Sequence, residues 1–354
     1  MENNHRPRFR DLGFRVGKIS PGETNSITDL SGVKVGHKTL IRGSDVRTGV
    51  TAVLPHGGNL YRDKVPAAVE VGNCFGKIAG VTQIQELGWL ESPVVLTNTL
   101  SVGTAIQAVN RYTLRQPGNQ DVRSVNAVVG ETNDGYLNDI RRMSVTEEDV
   151  LSALDGAGTG PFQEGCVGAG SGTISLGFKA GVGTSSRVLK AAFDSWKVGV
   201  LVQANFGGRL LIKGLPIGEM LDSHPLPERA DQGSCLVVVG TDAPLDANGL
   251  RRLAKRSLFG IVRTGSVMNH GSGDYALAFS SRPEHWVNDR EPVQGRSLSP
   301  RVLNRLFEAV VEAAQEAVYN ALFTAHTMNG VQGRKVEALP VEKTAQLLTK
   351  YRPH

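Results

Sequence analysis

The 354 residues are 40% hydrophobic and 21% charged, the make-up of a soluble globular chain long enough for one large domain or two ordinary ones. The net charge of +5 comes from Lys and Arg spread along the chain with no basic block interleaved with aromatics, which argues against a nucleic-acid partner. No apolar stretch approaches a membrane span, Met1–Arg10 lacks a signal-peptide core, and Cys74, Cys166 and Cys235 have neither disulfide nor metal-ligand spacing, so no membrane association and a reducing, cytoplasmic setting are expected.

In chain order, residues 11–60 read as short strands and turns, with alternation and glycine punctuation around Val33-Lys-Val-Gly-His37. Residues 66–74 predict a strand. Val81, Ile84 and Leu87 share one face of a helix after Gly80, and Pro93–Leu96 opens a short strand ending in Thr97-Asn98-Thr99. Ser101-Val-Gly begins a helix bearing Ile106, Val109 and Tyr112. Residues 125–130 predict a strand that runs into Glu131-Thr132-Asn133-Asp134-Gly135, a carboxylate pair that is also a turn signal. Ser144-Val-Thr-Glu147 reads as a capping box opening a helix through Ala153.

Residues 165–187 are glycine-rich, yet the Walker pattern is absent and the Gly-x-Gly-x-x-Gly register fails at Thr173 and at Ser186. Turns and close-packed backbone, with amides available to line a pocket, are the expectation. A buried strand over 198–204 ends at Asn205, and Leu210–Leu215 is a candidate hairpin return. Further on come a helix around Leu250–Leu258 with Arg251, Arg252, Lys255 and Arg256 on a solvated face, and a strand Tyr275–Phe279. A long helix opens at Ser299-Pro300 and runs to about Ala325, and a last helix covers Val341–Leu348. Without a regular βαβ rhythm, the layers are expected to segregate as α+β, sheets sandwiched by helices.

One junction stands apart. The loop Leu221–Gln232, with Pro225 and Pro227, reads as exposed, and it enters Gly233-Ser234 directly before the apolar run 235–240. On a period-two strand Cys235 faces away from Ser234. A serine at the seam of a loop and a buried strand is a candidate new amino terminus. Serine is a weak nucleophile without a base. Its own α-amine, with a reference pKa of about 7.7–8.0, serves as one once the preceding bond is cut. Asn205 is a candidate oxyanion donor, and Asp274 a candidate to hold Ser272 and that amine. No histidine sits in a triad signature, and His37, His56, His224, His270 and His285 are isolated, so no metal and no cofactor is expected.

These motifs resemble the self-processing family of L-aminopeptidase/D-Ala-esterase-amidases and β-peptidyl aminopeptidases. The likeness runs through Asn25–His37, Leu96–Gly103, Gly165–Gly172, Gly177–Arg187, Gly233-Ser234, Gly240–Leu245, Arg263–Ser266 and Ser272–Asp274. It implies an αββα sandwich with connectivity distinct from other N-terminal-nucleophile hydrolases, and one domain over 1–354. It also implies autocleavage between Gly233 and Ser234 into fragments 1–233 and 234–354, and homotetramers or larger assemblies. Ser234 is then the nucleophile, Asn205 the oxyanion donor, Ser272 and Asp274 the groups organising it, and Glu131 the acidic residue holding the substrate amine. The implied substrates are small peptides, amides or esters with a free amino group. Gly271, Asn133 and Asn73–Lys77 depart from the family's usual pattern, which bears on substrate preference. Two other classes compete: an acyltransferase of the ornithine acetyltransferase type, which uses Thr at the new terminus, and an unprocessed ligand-binding or assembly protein.

Overall fold

A computed structural model describes residues 6–190, 195–221, 233–288 and 298–351. Beyond Leu221, the loop expected before Gly233 lies outside the described residues, as does His224. Two mixed sheets form the centre. The first has five strands in the order β1 (Lys34–Arg42), β2 (Val46–Leu54), β6 (Val94–Asn98), β7 (Val128–Thr132) and β4 (Ile78–Ala79). The second has six, in the order β10 (Val182–Lys190), β11 (Ser195–Asn205), β12 (Ser234–Thr241), β13 (Gly273–Ser280), β3 (Val65–Cys74) and β5 (Trp89–Leu90). Two-residue ribbons pair β8 (Ile174–Ser175) with β9 (Phe178–Lys179), and β14 (Met328–Asn329) with β15 (Lys335–Val336).

Strand alternation dictates the layers. On β12, Leu236 and Val238 point into the core between the sheets, with Leu96, Val128 and Leu277. Cys235, Val237 and Val239 point the other way, into the core beneath the helices α5 (Ala247–Val262) and α6 (Pro300–Phe323). On the first sheet Val95 and Val129 face outward onto α2 (Val102–Leu114) and α3 (Glu147–Asp155). Both faces of the central strands are therefore buried, which is why their sequences are continuous apolar runs rather than alternating ones. The result is the four-layer αββα sandwich. Three shorter helices, α1 (Val81–Leu87), α4 (Ile217–Met220) and α7 (Val341–Lys350), complete the described α-helices.

Some expectations need correction. Each sheet contains one βαβ unit: α2 links the parallel pair β6 and β7, and α5 links the parallel pair β12 and β13. The periodicity of single segments gave no rhythm because antiparallel strands surround each unit. The capping box of α3 is Thr146 with Asp149, not Ser144 with Glu147, since Thr146 Oγ1 accepts from Asp149 N–H and Asp149 returns the bond. Leu210–Leu215 is no hairpin of strands; Ile212 and Leu215 close a tight turn by exchanging backbone hydrogen bonds. The strand expected over 125–130 is displaced to Val128–Thr132, which puts Glu131 inside it. The solvated face of α5 is present, with Arg251, Arg252 and Lys255 exposed, and Arg252 and Arg256 also lie over the ring of Phe307.

The glycine-rich centre is structural. A Cβ at Gly181 would lie 1.8 Å from the carbonyl oxygen of Gly165, so two backbone segments touch where no side chain fits. One buried charge network anchors α6 to β10. Arg187 pairs with Glu312 at 3.0 Å and with Glu316 at 2.8 Å, and donates to the carbonyl of Val16 at 3.0 Å. Burial alone would raise the carboxyl of Glu316, but Arg187 and Arg10 outweigh it and hold that carboxyl below its ordinary value. Removing one member of such a cluster strands the opposite charges in the interior. Arg187→Met is expected to cost about 3–5 kcal/mol of stability, read by denaturant unfolding; a loss well under 1 kcal/mol would show that the network is not structural.

Candidate active site

The two sheets open at one end into a cleft of about 310 Å³, lined by Ser234, Gly233, Glu131, Asn133, Thr99 and the loop Cys74–Lys77. Its floor is set by register. Ser234, the first residue of β12, stands opposite Asn205, the last residue of β11, and opposite Gly273, the first of β13. Beneath it the buried Gln203 joins the sheets: its Nε2 donates to Thr132 Oγ1 at 2.8 Å and to the carbonyl of Ala169 at 3.0 Å. The gap between the layers is thus fixed directly under the site.

The amide of Gly273 is shared between two acceptors, the carbonyl of Gly233 at 3.3 Å and Ser234 Oγ at 3.4 Å. The hydroxyl of Ser234 and the carbonyl that precedes it are therefore gathered on one N–H. Gly233 has no room for a side chain, because a Cβ there would lie 2.0 Å from the carbonyl oxygen of Asn205. Asn205 is held at both ends of its amide. Ile174 N–H donates to its Oδ1 at 3.0 Å, and its Nδ2 donates to the carbonyl of Asn133 at 3.0 Å. This fixes the NH₂ group toward the Asn133 side, with a second N–H left to donate.

Ser272 and Asp274 do not line the cleft. Asp274 is in register with Cys235, so its side chain lies on the face of the sheet opposite the Ser234 hydroxyl. Both residues are buried, and neither Ser272 Oγ nor either carboxylate oxygen of Asp274 has a hydrogen-bond partner among the described residues. Burial pushes the Asp274 carboxyl up to about 6, opposed by the nearby Ser272 hydroxyl. A buried carboxyl with only the neighbouring Ser272 hydroxyl beside it is costly.

Glu131 sits near the end of β7, in the cleft and 2% exposed. Its Oε1 accepts from the backbone N–H of Lys77 at 3.1 Å and from Lys77 Nζ at 3.2 Å, and its Oε2 accepts from Thr99 Oγ1. The second acid of the pair, Asp134, turns away and bonds Asn138. Burial raises its carboxyl to about 7, with Thr48 and Asn138 opposing the rise and the charge of Glu131 adding to it. Asp134 is thus a structural acid. The contributions of Lys77, Thr99, Gly273 and Ile174 were not read from sequence. Thr99 and Gly273 lay within motifs singled out there, and Lys77 within the segment noted as departing from the family's pattern, whereas nothing local marks Ile174. None of residues 165–187 lines this cleft. His37 bonds Thr51 and His56 stacks on Trp286, both away from it. No group of His, Cys, Asp and Glu among the described residues could hold a metal, and no described helix is long and apolar enough to cross a membrane.

Comparison with known proteins finds relatives over nearly the whole chain. The family model described as peptidase family S58 matches residues 25–336. A β-peptidyl aminopeptidase of Sphingosinicella microcystinivorans is 40% identical, over 98% of this chain and 93% of that protein. Among solved structures, a protein of Pyrococcus horikoshii OT3 superposes with a TM-score of 0.91 at 41% identity, covering 98% of this chain and 99% of the other. The L-aminopeptidase D-Ala-esterase/amidase of Ochrobactrum anthropi, described as a variant of the Ntn hydrolase fold, gives 0.91 at 37% identity, covering 98% and 99%.

The tight seat of Gly233 has a direct consequence. Gly233→Ala drives a methyl group into the end of β11, and is expected to cost about 1–3 kcal/mol in denaturant unfolding of intact chains. Unchanged stability would show that the strand end yields without cost.

Proposed function

The chain belongs to peptidase family S58 and is a serine aminopeptidase/amidase, and from that premise we propose that it cuts itself before Ser234 and uses Ser234 as an N-terminal nucleophile. The observation that carries this reading is the pairing of a hydroxyl in the cleft with an unpartnered buried carboxyl behind it. In the intact chain, Ser234 Oγ attacks the Gly233 carbonyl carbon, the C–N bond to Ser234 breaks, and an ester forms. Water then hydrolyses the ester, leaving a carboxylate on Gly233 and a free amine on Ser234. The products are fragments 1–233 and 234–354 of one domain.

The backbone nitrogen of Ser234 lies in the plane of the sheet, between its two faces. As a terminal amine it can turn toward Ser272 and Asp274 while the hydroxyl stays in the cleft. That arrangement supplies the partner that Asp274 lacks. In turnover the amine takes the hydroxyl proton as Oγ attacks the substrate carbonyl, and returns it to the leaving amine. Asn205 Nδ2 and the Gly273 N–H are the donors for the oxyanion; removal of such a donor costs about 10²–10³ in rate in known enzymes. Glu131 takes the free ammonium of a small peptide, amide or ester. The reading extends to a homotetramer or larger assembly, which the resemblance supports, and to a cytoplasmic setting, which the cysteine pattern supports.

Intact mass spectrometry of the expressed protein is expected to give two fragments summing to the precursor plus one water, and Ser234→Ala to give a single uncut chain without peptidase activity. Peptidase activity in that variant would remove Ser234 from the mechanism. The pH profile tests Asp274. An ionised carboxylate beside the amine raises the amine's pKa, and only the free base is competent, so kcat/KM rises with pH as the ammonium deprotonates. Asp274→Asn removes that charge, so in a processed enzyme the rising limb moves to lower pH by about 1 unit or more, with slower turnover. A limb that stays or moves upward would contradict this role.

A further inference from the structure

We propose that Lys77 makes the cleft selective for a released residue that carries a carboxylate beside its ammonium, that is, an N-terminal aspartyl or glutamyl residue. The inference rests on the reading of Glu131 as the ammonium site. Its starting point is the stoichiometry of charge. Oε1 of Glu131 already accepts two bonds from Lys77, from the backbone N–H at 3.1 Å and from Nζ at 3.2 Å, while Oε2 accepts from Thr99. An arriving ammonium either displaces Nζ or joins it. In the first case Lys77 is left without its anion at the side of the substrate. In the second, one buried carboxylate faces two cations. Either way one positive charge is in excess.

Among the described lining residues nothing else offsets it. Among the described lining residues, Glu131 brings the only carboxylate. Asp134 is close in sequence but buried, raised to about 7, and engaged with Asn138. A carboxylate on the substrate supplies the missing charge, and a fully paired cluster is favoured over one with an unpaired cation. The two protein charges are also unequal in freedom. The Glu131 side chain is 2% exposed and fixed by three donors, whereas that of Lys77 is 49% exposed on a long flexible stem. Lys77 is the member that moves, and it can follow a substrate carboxylate without the site being rebuilt.

Position decides which half of the substrate carries the acid. Lys77 touches the carboxylate assigned to the ammonium of the residue being released, so it addresses the acyl half and not the leaving group. Two linkages present this chemistry. An α-linked aspartyl or glutamyl residue holds its acid on the side chain. A β-linked aspartyl residue holds ammonium and carboxylate on one carbon, with the scissile carbonyl farther along.

The test uses processed enzyme and amides with one common uncharged leaving group, with α-aspartyl, β-aspartyl, α-asparaginyl and alanyl acyl parts. The wild type is expected to favour at least one aspartyl amide over the asparaginyl amide by about tenfold in kcat/KM, mainly through KM, with the preference weakening as salt rises. The α and β arms identify the linkage. Lys77→Met is expected to lower that ratio about tenfold, and Lys77→Arg, which keeps the charge, to hold it within about threefold. A ratio unchanged in Lys77→Met, or a wild type that prefers the asparaginyl and alanyl amides, would overturn the inference while leaving the aminopeptidase reading intact. Processed wild type that turns over none of these amides, nor any other substrate with a free amine, would instead remove the functional reading and this inference with it.

Discussion

The register that sets Asn205, Ser234 and Gly273 side by side is the constraint from which the site follows. Three strand ends meet there at the open edge of a sandwich, and none can shift alone. A slip of one residue on β12 would exchange its faces, sending Ser234 into the helix-side core and Cys235 into the cleft. Burial of both faces makes such a slip prohibitive, because Leu236 and Val238 would leave the inter-sheet core together. The same packing that stabilises the sandwich therefore aims the hydroxyl.

The pleat also divides the chemistry across the sheet. Oγ of Ser234 is on the cleft side with Glu131, while Asp274 is on the other side with Cys235. A residue within a continuous chain reaches only one of these environments with its side chain. A terminal serine reaches both, one with its hydroxyl and one with its amine. The unpartnered Asp274 carboxyl, raised to about 6 by burial, is a cost borne by the intact chain that a new ammonium would relieve. Glu131 is the contrasting case, a buried acid whose bonds are supplied by Lys77 and Thr99.

Much of this was legible in the chain itself. The apolar run after Ser234, the strand ending at Asn205 and the Ser272–Asp274 segment each marked a strand end, and the long helix opening at Ser299-Pro300 lies where its cap and proline put it. What sequence could not supply was pairing. Nothing local tells that Asn205 and Gly273 flank Ser234, that Ile174 fixes the Asn205 amide, or that Lys77, just before β4, meets Glu131 on the neighbouring β7. Those contacts join residues tens of positions apart, and they follow from register and layer stacking. The α3 capping box shows the local version of the same limit, since two overlapping candidates fit the pattern and only the backbone of Thr146 resolves them.

The central claim is that Ser234 bears the covalent intermediate, and trapping it is the most direct test. Processed enzyme is mixed with an amine-bearing ester whose acyl group deacylates slowly, quenched in acid and digested for peptide mapping. The account predicts an acyl adduct on the peptide that begins at Ser234, on its hydroxyl, and none on the 1–233 fragment. An adduct mapped to any other residue, such as Cys74 or Ser272, would contradict it.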